Sequence, residues 1–203
     1  MIINRSSKYN AKREFWHNGR QVMMTRIWGG IAFHGVPKFI TLIGEEDYFG
    51  DKNFYLIAEG SLEAGEGLTD IINLAVRMTA EYGVKRWFGR LDENISETLT
   101  ICNKLYYNSG VRTLTVTEVP RIGEYIDENV SLIHMLTRNE TKRLYFFGEA
   151  MCVGEIKSLP IKDARAKDFP RATALSNVLA GLLKYQAEKV APEDLVPPPE
   201  SWY

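Results

Sequence analysis

The sequence predicts a mixed α/β domain whose central sheet opens with an antiparallel three-strand meander and carries helices on both faces. Two observations predict it. Three apolar runs, Ile27–Phe33, Phe39–Ile43 and Phe54–Ala58, follow one another with only turn-forming stretches between them, Gly35-Val36-Pro37 and Asp47-Tyr48-Phe49-Gly50-Asp51. Beyond them, helical and strand periodicities alternate along the chain, the pattern of a sheet covered on both sides.

The elements follow in order. Leu68, Ile71, Ile72, Ala75, Val76, Thr79 and Tyr82 recur at helical spacing, and Gly83 stands where a left-handed cap is expected. Val84–Phe88 reads as a short strand. Asn94 with Glu97 resembles a capping box opening a helix whose stripe is Ile95, Leu99, Cys102, Leu105 and Tyr106 and which ends at Asn108-Ser109-Gly110. Val111–Thr117 alternates and is rich in Thr and Val, so it is expected to be a strand. Ile126, Val130, Ile133 and Thr137 return to helical spacing, and Arg143–Phe147 is another short strand. Cys152, Val153, Ile156 and Leu159 mark a short helix ending before Pro160. Leu175, Val178, Leu179, Leu182 and Leu183 mark the last helix, with Asp168 as its expected N-cap and Pro170 in its first turn.

With 203 residues the chain can bury one sizeable core. Its 45% hydrophobic and 25% charged residues are those of an ordinary globular protein, and a net charge of −1 argues for neither nucleic acid nor membrane. No apolar run approaches the ~20 residues of a membrane span and no signal-peptide pattern opens the chain, so a cytoplasmic location and no membrane partner are expected. Cys102 and Cys152 stand far apart without a CxxC pattern, as buried free thiols do. There is no GxxxxGK[ST] and no GxGxxG, which argues against an ATP motor or a dinucleotide binder.

Charge and composition divide the chain into a basic arm (1–25), a folded domain (26–190) and a Pro-rich tail (191–203). Residues 1–28 carry six basic residues against Glu14 alone. Interleaved with Tyr9, Phe15 and Trp16, they read either as a phosphate-contacting arm or as a lead-in that packs its aromatics on the domain. Residues 45–70 carry eight acids against Lys52, and Glu45, Glu46 and Asp47 are expected on a solvated hairpin. The tail, with Pro192 and Pro197–Pro199, is expected to be mobile in a monomer.

Several segments carry a resemblance. Gly30-Ile31-Ala32-Phe33-His34 occupies the place of a first-strand "G-I-D-aromatic-G", and the hairpin "GEEDYFGDKNFYLIAEG" follows it. Next come "AEYGVKRWF", "VSLIHMLTRN", "KRLYFF", a helix from Cys152 to near Leu159, and "DFPRATALSNVLAGLL". In order and spacing, roughly residues 25–188 resemble the ribonuclease-H-like C-terminal nuclease domain of the large terminase subunit of tailed phages. The resemblance implies that acids from the first strand, the fourth strand and the last helix hold two Mg²⁺ or Mn²⁺ ions about 3.5–4 Å apart. Such ions require hard oxygen ligands.

At those three positions this chain has Ala32, Arg90 and Thr173. Alanine cannot ligate, and arginine puts a cation where the metals belong. The nearest acids, Asp92 and Asp168, are candidate catalytic residues, with a turn residue and a helix cap as their other readings. His34 is either a ligand or structural, and Arg90 is a candidate contact for a DNA phosphate. Three functions are therefore expected to compete. The first is a phage or prophage module for DNA packaging or head assembly, with a degenerate metal site and no cofactor. Its partners would be double-stranded DNA, a separate packaging ATPase or a portal protein, in the host cytoplasm. The second is an active Mg²⁺- or Mn²⁺-dependent endonuclease using displaced acids. The third is an unrelated α/β interaction module.

Overall fold

Alternation of side chains along Arg26–Ala32 sets the architecture, because this strand lies inside the sheet and must bury both of its faces. Ile27 and Ile31 point to one side, Trp28 and Ala32 to the other, and all four are buried. A computed structural model describes residues 2–5, 14–119, 133, 134, 136, 137, 142–160 and 165–189. Its strands are β1 (Ile2–Arg5), β2 (Glu14–His17), β3 (Arg20–Met23), β4 (Arg26–Ala32), β5 (Phe39–Tyr48), β6 (Asp51–Ser61), β7 (Arg86–Gly89), β8 (Val116–Glu118) and β9 (Leu144–Tyr145). Its helices are α1 (Leu68–Tyr82), α2 (Glu93–Asn108), α3 (Cys152–Ser158) and α4 (Pro170–Lys189).

The sheet runs β1-β6-β5-β4-β7-β8, with β9 also on β6, while β2 and β3 form a separate hairpin. β4, β5 and β6 are the antiparallel meander, and β7 lies beside β4 and parallel to it. β8 continues in parallel on β7. The result is the mixed sheet expected from the order of elements.

One face packs Ile31, Ile40, Leu42 and Ile57 against Ile71, Ile72 and Met78 of α1 and Ile95 and Leu99 of α2. The other packs Trp28, Ile43, Leu56 and Phe88 against Leu175, Val178, Leu179 and Leu182 of α4. α4 comes so close to β4 that a Cβ on Gly30 would lie 2.0 Å from the Ala174 carbonyl oxygen. No larger residue fits there without moving backbone.

Strand lengths differ from expectation where a partner runs out. Of Val111–Thr117 only the end enters the ladder, because β7 is four residues long and offers just Trp87–Gly89 for pairing. Of Arg143–Phe147, Leu144 and Tyr145 pair with Phe54 and Tyr55. β5 and β6 instead run on to a tight turn at Phe49-Gly50, both at positive φ. Asn18-Gly19 makes the same kind of turn between β2 and β3.

Part of the segment assigned to a basic arm is built into the domain. β1 pairs with β6, and Phe15 and Val22 sit in the core under α1 and β6. The helix expected around Ile126–Thr137 lies mostly outside the described residues, as does the 191–203 tail with its expected mobility.

Glu45 and Glu46 are buried rather than solvated, and only Asp47 of the three acids is exposed. Glu45 accepts from the Trp28 indole at 2.6 Å and pairs with Lys52 at 2.9 Å. Glu46 takes both guanidinium arms of Arg20, the Tyr55 hydroxyl at 2.9 Å and the Asn53 amide at 3.3 Å. The β2–β3 hairpin supplies Arg20, a partner distant in sequence.

Candidate functional site

The ends of β4 and β7 and the start of α4 meet at one place. Pairing of Ile31 with Gly89 puts Ala32 and Arg90, the next residue on each strand, side by side on the face that α4 covers. Ala32 packs with Phe39 and Ala174, so Thr173, one residue earlier in the first turn of α4, falls beside it. Ala32, Arg90 and Thr173 accordingly line one cavity of about 490 Å³, together with Ile31, Phe33, His34, Gly35, Arg165, Ala166, Lys167 and Asn177. Positions 58 and 83 residues apart in sequence become neighbours through one parallel strand pair and one helix docking.

The cavity is cationic. Arg90, 9% exposed, lies in its wall, and Arg165 and Lys167 contribute from the turn before α4. None of the described residues that line it is a carboxylate. Thr173 directs its hydroxyl to the Ala166 carbonyl at 2.8 Å, fixing the turn that carries both cations. Asn177, 1% exposed, donates its amide to the Ile31 carbonyl at 2.8 Å, and its Oδ1 has no hydrogen-bond partner among the described residues.

This donor set does not fit a pair of divalent metals, which need several carboxylate oxygens. Among the described residues no group of three or more His, Cys, Asp or Glu is placed to hold a metal ion.

Asp92 and Asp168 lie outside the cavity lining. Asp92 is itself the N-cap of α2, accepting from the Ile95 N–H at 2.8 Å, so the cap is two residues before the expected Asn94. An aspartate in extended backbone satisfies an orphan N–H as well as Asn94 would and starts the helix at Glu93. His34, also in the lining, stands 3.7 Å from the Asp92 carboxylate.

Asp168 is exposed and does not cap α4, which begins at Pro170. The first free N–H groups of α4, on Arg171 and Ala172, go instead to the Glu155 carboxylate of α3 at 2.9 and 3.1 Å. Burial pushes the Glu155 carboxyl above the usual carboxylate range, and these N–H groups offset part of that. Glu59 of β6 caps the start of α3 in the same way, accepting from Met151 at 2.5 Å and Cys152 at 2.9 Å. Burial likewise raises its pKa. Cys102 and Cys152 are free and buried, and burial beside Glu59 holds the Cys152 thiol protonated.

Sequence reasoning missed Arg165, Lys167 and Asn177. Asn177 left one signal, a polar residue within the apolar stripe of α4. Arg165 and Lys167 left none, since two basic residues before a helix are commonplace. Trp28, Arg20 and Glu46 were equally silent as partners.

No protein-family model matches the chain, and no curated protein matches it by sequence. Solved structures do. Two structures of the large terminase nuclease from thermophilic phage G20c, one of them with bound zinc, superpose with TM-scores of 0.52 and 0.51 at 12% and 11% identity. Each comparison covers 81% of this chain and 89% of the other. At such identity the likeness concerns fold. Together with the strand order, it gives this chain a ribonuclease-H-like fold, with a terminase-nuclease-like arrangement of sheet and helices.

Proposed function

We propose that the protein is a terminase-nuclease-like module of a phage or prophage, acting in viral DNA packaging or head assembly with a degenerate metal site. The observation that carries this reading is the cavity at Ala32, Arg90 and Thr173. It stands where the resemblance places a metal-binding acid triad, yet its described lining residues offer cations and no carboxylate. A guanidinium there can take a DNA phosphate by charge-assisted hydrogen bonds, so the module holds DNA without cutting it. A packaging ATPase or a portal protein is the partner class this role requires.

The test is plasmid DNA with the purified protein in Mn²⁺, in Mg²⁺ and without metal. Retention of DNA that weakens steeply with salt, without nicking above the metal-free control, is the expected result. Metal-dependent nicking abolished by Asp92→Asn would overturn it in favour of an active endonuclease. No binding at any salt concentration would favour an unrelated interaction module.

A further inference from the structure

The same cavity has a shape and charge that specify more than DNA in general. Arg90, Arg165 and Lys167 all lie in one concave lining whose described residues include no carboxylate, and His34, also in the lining, stands 3.7 Å from the Asp92 carboxylate. Ala32, packed with Phe39 and Ala174, lies in the same lining beside these cations. At about 490 Å³ the cavity has the dimensions of a small-ligand site. A duplex can set one backbone phosphate at its mouth but is too wide to enter it.

A phosphodiester within a continuous backbone carries one negative charge and is flanked by chain on both sides. A terminal phosphomonoester carries about −1.5 to −2 at pH 7, has three free oxygens, and can enter a cavity end-on. Three cations around one cavity match the second ligand better than the first. Guanidinium groups bind such oxygens pairwise, and an ammonium adds a mobile point charge.

We therefore propose that the cavity binds the terminal phosphomonoester of a nucleotide, with the phosphate on Arg90, Arg165 and Lys167. Asn177 fits this occupant. Its buried Oδ1 can accept one hydrogen, from a ligand hydroxyl or from a water held beneath the ligand. The source could be a DNA strand end or a free nucleotide. The strand end rests on the DNA-binding function proposed above; the phosphomonoester site itself does not.

The experiment compares fluorescent oligonucleotides ending in 5′-phosphate, 3′-phosphate or only hydroxyl groups, by anisotropy at one fixed salt concentration. Thymidine monophosphate and inorganic phosphate serve as competitors. Arg165→Ala/Lys167→Ala is the test variant, since both side chains are exposed and their loss leaves the core intact. A phosphorylated end should bind about ten-fold more tightly than its hydroxyl counterpart, equivalent to ~1.4 kcal/mol. The double variant should erase that difference while its melting temperature stays unchanged. Equal affinity for phosphorylated and hydroxyl ends overturns the proposal but leaves general DNA binding standing. A preference that survives in the double variant also overturns it. Thymidine monophosphate binding that is lost in the variant, with no binding of any oligonucleotide, upholds the phosphomonoester site and overturns the DNA reading.

Discussion

The Asn177 amide donates to the Ile31 carbonyl at 2.8 Å, so the interior of α4 is tied to β4 one residue from Ala32. Both partners are buried. Asn177→Leu removes the donor and leaves the Ile31 carbonyl short of a partner, at a cost of about 1–3 kcal/mol. Urea denaturation measures it. A cost near zero would mean that the bond is replaced locally.

Asp92 has a structural task that can be separated from any chemical one. As the N-cap of α2 it accepts from Ile95, so Asp92→Ala should cost about 1 kcal/mol, whereas Asp92→Asn should cost little. Because no set of acids is placed for a metal among the described residues, millimolar Mn²⁺ should not raise the melting temperature of either variant or of the parent. A rise of several degrees in the parent, lost in Asp92→Asn, would reveal a site built on this acid.

Arg20 and Glu46 join the β2–β3 hairpin to the sheet. Glu46→Ala strands the Arg20 guanidinium, the Tyr55 hydroxyl and the Asn53 amide together, and should cost about 3 kcal/mol. Arg20→Ala should cost less, since its side chain is partly solvated. A double-mutant cycle should return a coupling of about 1–2 kcal/mol. Additive effects would show that the hairpin is held by Phe15 and Val22 alone.

The buried acids give opposite pH dependences. Burial raises the pKa of Glu59 and outweighs the hydrogen bonds from Cys152 and Met151, so the folded state binds its proton more tightly than the unfolded state does. Its contribution to stability is therefore full below the unfolded carboxylate value of about 4.3 and is lost as pH rises through the higher folded value. For Glu46, burial pushes upward but the hydrogen bonds from Arg20, Tyr55 and Asn53 prevail and lower the pKa. Its contribution is present above the unfolded value and is lost as pH falls through the lower folded one. Glu59→Gln should thus gain stability relative to the parent as pH rises from the unfolded carboxylate value of about 4.3 through the higher folded one, measured by denaturant titration. A constant difference across that range would contradict the assignment.

Gly30 marks a close approach of α4 to the sheet. A methyl group would meet the Ala174 carbonyl at 2.0 Å, and backbone cannot yield as a side chain can. Gly30→Ala should cost about 3 kcal/mol or more. Gly50→Ala, at an exposed turn with open space around the Cβ, should cost less despite its positive φ. Equal costs would show that α4 is free to shift.

The sequence by itself determined the order of the described elements from β4 onward, because apolar periodicity is a local property that survives without knowledge of neighbours. Gly83 in its left-handed cap and the α4 face of Leu175, Val178, Leu179 and Leu182 were legible for that reason. Asn18-Gly19 was an equally local signal for a hairpin, masked by the basic charge around it. Only the tertiary structure decided which acids are buried. Glu45 and Glu46 read as solvated until Trp28, Lys52 and Arg20 meet them. It also decided that Glu155, rather than Asp168, caps α4. The cavity belongs to the same class. Ala32, Arg90 and Thr173 could be named from an order of motifs, but Arg165, Lys167 and Asn177 join them only through the docking of α4 on β4. A charge's partners are fixed by packing across distant segments, and no spacing along the chain encodes them.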